Sequence, residues 1–255
     1  MPDIPLSVGS IAAALGPLAT RFDVDVVAQC TSTNAALLAR ADASPSGSVL
    51  VAERQTAGRG RMGRVWIAEP GASLTFSLLW RLPRGVVPHG LSLAVGVAVA
   101  EALRADNAAG VALKWPNDIL LDGRKLGGIL IELASSVAVI GIGLNIRLPA
   151  ELPAEVRAAA AALERDVDRN QLLACLLASL LAVLDEFGSG GFAAVRERWS
   201  ALNAYDGAAV RVLSEHAPPL EGRCAGVDAD GALLLQMPGG AVRRVIAGDV
   251  SLRPA

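Results

Sequence analysis

The stretch VALKWPNDILLDGRKLGGILIELASSVAVIGIGLN, residues 111–145, decides the fold class. Its apolar residues fall in short runs set apart by turn formers. That pattern predicts strands at Val111–Trp115, Ile119–Leu121, Lys125–Glu132 and Val137–Ile146. Asp122-Gly123 is the signal of a tight hairpin turn. Strands that follow one another so closely leave no room for intervening helices, so a doubly wound parallel sheet is excluded.

Upstream, residues 1–22 form a short lead-in containing Ala and Pro. Strands are predicted at Asp25–Gln29, Ser48–Glu53 and Leu74–Trp80. Thr31, Ser32 and Thr33 offer hydroxyl caps for a helix through Asn34, Leu37, Leu38 and Arg40, and His89–Ala105 reads as a core helix. Arg54–Gly71 has no apolar period and is rich in Gly and Arg, which predicts a long loop. Downstream of Pro149 and Pro153, helices are predicted at Glu155–Arg165, Asp168–Phe187 and Phe192–Asn203. Short strands then follow at Ala208–Leu213, Gly222–Val227, Ala232–Gln236, Val242–Ile246 and Val250–Leu252. The expected architecture is α+β: a mixed-sheet catalytic domain over residues 1–203, then a small C-terminal β-barrel over 204–255.

The 255 residues are 53% hydrophobic with a formal net charge of -2, so a core can form and no general attraction for nucleic acid or an anionic membrane exists. Gln171–Leu184 is apolar but falls short of the ~20 residues that span a bilayer. Cys30, Cys175 and Cys224 are widely spaced and odd in number, which fits a reducing cytoplasm rather than a disulfide framework or zinc site. His89 and His216 stand in no motif. Only two of the 23 basic residues are lysine, and these two, Lys114 and Lys125, are close neighbours.

Four segments carry chemistry. Gly58-Arg59-Gly60-Arg61-Met62-Gly63-Arg64-Val65-Trp66 combines a backbone that a ligand can approach with guanidinium groups that grip carboxylate or phosphate. Taken alone it suits an anion clamp and a solvated nucleic-acid-binding loop equally; it is not a Walker P-loop. Lys114-Trp115-Pro116-Asn117-Asp118 is a turn between strands. Lys125-Leu126-Gly127-Gly128 sets a point charge before two glycines, and Gly141-Ile142-Gly143-Leu144-Asn145 is a strand whose glycines suggest close approach of a ligand.

From Ser32 to the C-terminus the chain resembles the biotin protein ligases. The resemblance rests on Ser32-Thr33-Asn34, the Gly58–Trp66 loop, Lys114–Asp118, Lys125–Glu132, Gly141–Asn145 and the C-terminal β-region around Gly231–Leu235, in that order. It implies a catalytic core like that of class II aminoacyl-tRNA synthetases, followed by an SH3-like barrel. It also implies that biotin and ATP form biotinyl-5′-AMP, which acylates one lysine of a biotin carboxyl carrier domain. Catalysis falls to Lys125, Arg59 and Arg61. The biotin contacts are Ser32, Thr33, Asn34, Gln55, Gly58, Arg59, Arg61, Lys125, Gly128 and Gly141. The nucleotide contacts are Trp66, Asn117, Asp118, Lys125 and Asn145. ATP chemistry implies Mg²⁺, with ligands unknown.

Met62 stands where many relatives carry a basic residue, so weaker retention of the adenylate is expected. The short lead-in suggests the monofunctional type without an N-terminal DNA-binding domain. No nucleic acid or membrane partner is expected, and a homodimer is compatible with the resemblance. The loop is expected to be disordered when empty. The alternatives are a lipoate protein ligase of the same superfamily and a nucleic-acid-binding protein. The second is disfavoured by residues 204–255, where Tyr205 is the only aromatic and Glu215, Glu221, Asp228, Asp230 and Asp249 are acidic.

Overall fold

A computed structural model describes residues 4–134, 137–149, 152–214, 217–248 and 250–254; Glu215, His216 and Asp249 lie outside them. The main sheet has seven strands: β1 (Asp23–Cys30), β2 (Ser48–Gln55), β3 (Ser73–Arg81), β4 (Val111–Lys114), β5 (Asp118–Leu121), β6 (Arg124–Ala134) and β7 (Val137–Asn145). Their order is β1-β2-β3-β7-β6-β5-β4, with β1 and β2 parallel and every other pair antiparallel. The 111–145 stretch is thus four consecutive antiparallel strands. Asp122 and Gly123 both take positive φ, as the primed hairpin turn requires.

Strand periodicity gives the sheet two unlike faces. Phe76, Leu78, Ile140, Ile142 and Leu144 enter the large core beneath the helices α1 (Val8–Leu15), α3 (Leu91–Ala105) and α5 (Arg169–Gly190). The alternate residues face the other way. There Leu79, Val137 and Val139 pack under α2 (Thr33–Leu38), and the positions beyond are small or polar: Thr75, Ser77, Gly141 and Gly143. That second face is where a ligand can lie.

Three helical expectations change. The lead-in contains α1, capped by Ser7 and followed by a 3-10 turn over Gly16–Arg21. The helix expected at Glu155–Arg165 is only α4 (Ala154–Ala159). Beyond it the backbone is extended, and the amides of Ala161 and Leu163 donate to the carbonyls of Lys125 and Asn145 at 2.8 and 3.2 Å. Finally, α5 spans 22 residues, long and apolar enough to cross a membrane. Its Leu172, Leu173, Leu176, Leu177, Leu180, Leu181 and Leu184 are instead buried in the core, each contributing roughly 1.5–3 kcal/mol.

After α6 (Arg196–Leu202) come β8 (Ala209–Ser214), β9 (Leu220–Val227), β10 (Leu233–Gln236), β11 (Val242–Val245) and β12 (Val250–Pro254). They form an antiparallel five-stranded sheet in the order β11-β10-β9-β8-β12. Val210, Val212, Leu233, Leu235 and Leu252 join the large core. Trp115, fully buried, donates its indole N–H to the Gly231 carbonyl at 3.1 Å and so ties this sheet to the β4–β5 turn. The α+β expectation, with a small SH3-like β unit after the mixed sheet, matches this architecture.

Candidate active site

A cavity of about 460 Å³ opens on the second face of the main sheet. All of the site residues named from sequence line it except Gly58. Gly58 lies just behind the wall, where an added Cβ would stand 2.4 Å from the Trp66 carbonyl oxygen.

One end of the cavity is a hydrogen-bonded pocket. Ser32 caps α2 by accepting from the Ala35 amide at 3.4 Å. Gln55 Oε1 accepts from the Thr33 amide at 2.8 Å and from Thr33 Oγ1 at 3.2 Å, leaving the Gln55 Nε2 donors for a ligand. Asn34 is committed elsewhere. Its Nδ2 donates to the Leu130 carbonyl at 3.1 Å and to Glu132 Oε2 at 2.8 Å, and its Oδ1 accepts from fully buried Ser77 at 2.6 Å. Ser77 Oγ also lies 2.7 Å from Thr33 Oγ1, whose own proton goes to Gln55, so the single Ser77 proton is shared between Asn34 Oδ1 and Thr33 Oγ1. Gly141 of β7 serves this end and Gly143 the floor beside it, and what approaches both closely is protein. A Cβ on Gly141 would sit 2.3 Å from Asn34 Oδ1, and one on Gly143 would sit 2.4 Å from the Trp66 indole. Trp66 is held over that floor by its indole N–H to Thr75 Oγ1 at 3.3 Å.

The arginine loop folds back on itself across the cavity. The Trp66 amide donates to the Gly58 carbonyl at 2.9 Å, and the Gly60 amide to the Arg64 carbonyl at 2.7 Å. The tip is a single 3-10 turn in which Met62 and Gly63 take positive φ. Arg59 reaches Glu132 at 3.1 Å. Arg61 reaches Asn117 Oδ1 at 3.1 Å and the carbonyls of Gly248 and Val250, so the loop touches the C-terminal sheet.

At the other end both lysines of the chain meet on one carboxylate. Lys125 Nζ is 2.6 Å from Asp118 Oδ1 and Lys114 Nζ is 2.6 Å from Oδ2. Burial would raise the Asp118 carboxyl, but the two ammonium groups outweigh it and hold it below the ordinary carboxylate range. Burial lowers the Lys114 ammonium, and Asp118 restores only part of the loss. Lys125 is the more open of the two, 40% exposed against 13%. Asn117 donates to the Ile129 carbonyl at 2.8 Å and Asn145 to the Ala161 carbonyl at 2.9 Å, fixing two amides beside the lysines.

Lys114, Glu132, Ser77 and the β12 residues Leu252 and Arg253 belong to the site or its support and were not named from sequence. Only Lys114 had a local signal, the pairing of the two lysines within one segment. The lining carries Lys114, Lys125, Arg59, Arg61, Arg64 and Arg253 against the carboxylates of Asp118 and Glu155, which suits an anionic ligand. Among the described residues no group of three His, Cys, Asp or Glu stands together as a metal cage.

Residues 26–147 match the model of the Biotin/lipoate A/B protein ligase family, and residues 207–253 that of the Biotin protein ligase C terminal domain. The chain is 38% identical over 241 residues to the bifunctional ligase/repressor BirA of Escherichia coli K12, covering 91% of this chain and 74% of that one. It is 33% identical to the biotin--[acetyl-CoA-carboxylase] ligase of Paracoccus denitrificans, covering 87% of this chain and 96% of the relative. The structure of the biotin protein ligase from Aquifex aeolicus in complex with biotin and ATP is similar, with a TM-score of 0.80 and 29% identity over 91% of this chain and 99% of the other.

Proposed function

The chain belongs to the biotin/lipoate A/B protein ligase family, and we propose that it works as an ATP-dependent biotin protein ligase through the lysine pair and arginine loop just described. Biotin and ATP are its substrates, biotinyl-5′-AMP the intermediate, and the lysine of a biotin carboxyl carrier domain the acceptor. The observation that carries the mechanism is the convergence of Lys114 and Lys125 on Asp118 at the floor of a cavity closed by Arg59 and Arg61.

Adenylation brings a carboxylate onto the α-phosphate. Two such charges 4 Å apart repel by roughly 4 kcal/mol at an effective dielectric of about 20. Lys125, the exposed member of the pair, supplies the offsetting charge to both reacting groups. Asp118 aims it from behind while Lys114 holds the second oxygen. Arg59 and Arg61 add charge from the loop, and closure keeps water from the adenylate. The ring end offers Ser32, Thr33, Gln55 and the loop backbone at Gly58 and Arg59, with Gly128 and Gly141 beneath. The nucleotide side offers Trp66, Asn117 and Asn145. Mg²⁺ would enter with ATP and offset phosphate charge; Asp118 is already paired with both lysines, so the ATP phosphates rather than Asp118 would hold it.

Residues 1–203 form the catalytic domain in this reading and 204–255 the C-terminal one, whose β12 helps wall the site. No nucleic acid or membrane is required: Tyr205 packs against the core, and so does α5. The cysteines are free, in keeping with the cytoplasm.

The test is mass spectrometry of a biotin carboxyl carrier domain incubated with the protein, ATP, Mg²⁺ and biotin, beside a tube with lipoate and its own carrier. One biotin adduct on one carrier lysine supports the reading. An adduct only in the lipoate tube overturns the substrate and leaves the adenylate chemistry.

A further inference from the structure

We propose that Glu132 is the latch of the arginine loop, a positioning residue that sets how long the pocket stays closed. Its carboxylate makes two kinds of contact. Oε1 accepts from the Arg59 guanidinium at 3.1 Å, with Oε2 at 3.5 Å from the same nitrogen. Oε2 accepts from the Asn34 amide at 2.8 Å. Asn34 leads through Ser77 and Thr33 to Gln55, the residue from which the loop departs. At the ring end the loop is therefore fastened by the Arg59–Glu132 ion pair, beside the Arg61 bonds that hold its tip to Asn117, Gly248 and Val250.

A second cavity, of about 420 Å³, lies on the outer side of the loop. Arg59, Gly60, Arg61 and Met62 line both cavities, so the loop is the wall between them, and Glu132 stands at its foot. Releasing Arg59 from Glu132 frees the ring end of that wall while Arg61 still holds its tip. Glu132 is also too far away to act on the reacting atoms. It lies seven positions beyond Lys125 on β6, about 23 Å along the strand at ~3.3 Å per residue. The latch thus governs retention of the ligand and the adenylate, while the chemical step belongs to Lys125.

Glu132→Gln in the full chain separates these roles, because the amide oxygen can still accept from Asn34 while the charge facing Arg59 is gone. Without ligand, trypsin should cut at the loop arginines about fivefold faster, the size expected for a half-exposed ion pair. In pyrophosphate exchange the KM for biotin should rise by about the same factor, and kcat should fall by less, since Arg59 also lends charge to the reaction. Trapping of biotinyl-adenylate by hydroxylamine in the absence of carrier should rise likewise. Glu132→Asp, which keeps the charge, should lie between the variant and the wild type, and it takes over the test if the first variant does not fold. Cleavage at the wild-type rate, or a fall in kcat with KM unmoved, overturns the latch. The catalytic readouts rest on the ligase reading. The trypsin comparison does not, so a wild-type protein inert toward biotin would overturn that reading and still leave the latch to be decided.

Discussion

The ammonium groups of Lys114 and Lys125 lie on opposite oxygens of one carboxylate, each 2.6 Å from Asp118. Lys125 is the half-exposed member and is oriented by a largely buried anion whose other oxygen is already taken. Lys125→Ala should lower adenylate formation by about 10²–10³, the loss typical of one preorganised charged donor. Lys125→Arg should recover little, because a planar fork cannot replace a point charge between Asp118 and two reacting anions. Single-turnover pyrophosphate release measures both. An alanine variant within about threefold of wild type would remove Lys125 from the mechanism.

Asp118 should also appear in the acid stability of the protein. Its carboxyl titrates lower in the folded than in the unfolded chain, so the folded state binds fewer protons in acid. The stabilisation is fully present above the unfolded value of about 3.9 and is lost as pH falls through the lower folded value. Glu53, held low by Arg169 against its own burial, acts in the same direction. Asp118→Asn should cost on the order of 3 kcal/mol at pH 7, by leaving two ammonium groups without their shared counter-charge. It should also flatten the fall in stability between about pH 5 and pH 3. Urea unfolding at the two pH values checks this; parallel falls for variant and wild type would contradict it.

Local pattern marks much of this molecule. The strands of residues 111–145 announce themselves through short apolar runs and Asp122-Gly123, and every strand from β1 to β12 falls within a few residues of its expected place. The misses are tertiary. Ala160, Ala161 and Ala162 favour a helix, but the segment is drawn straight by pairing with Lys125 and Asn145. Val8–Leu15 was obscured by flanking prolines, although Ser7 caps it. Glu132 and Ser77 look like ordinary strand residues, because the partner that reveals them, Asn34, is 98 and 43 residues away.

The β7 glycines give a prediction that separates ligand contact from support. Gly143→Ala would drive a methyl into the Trp66 indole and Gly141→Ala one into Asn34. Each should cost about 1–3 kcal/mol of stability through overpacking. Their effects on binding should differ: Gly143→Ala should mainly raise the KM for ATP, and Gly141→Ala that for biotin. Exchange kinetics titrated in each substrate would show it, and equal effects of both variants on both substrates would contradict the division of the cavity.

Ser77→Ala should be more harmful than an average Ser→Ala change. It strands Asn34 Oδ1 in a fully buried position and unties Thr33. The expected loss is about 1–3 kcal/mol, with weaker biotin binding. Thermal unfolding with and without biotin checks this. A variant as stable as wild type, with unchanged stabilisation by biotin, would show that the hydroxyl is dispensable.

The concentration of both lysines on Asp118 has an analytical consequence. Both lysine side chains of the sequence lie in the pocket and are ion-paired, so the only lysine within reach of an acylating agent is the half-exposed Lys125. When the purified protein is mixed with a carrier, an acyl group on any lysine outside this pocket is on the carrier. Counting adducts on the carrier by mass therefore reads transfer directly, and a lysine adduct on the ligase itself reports on the pocket.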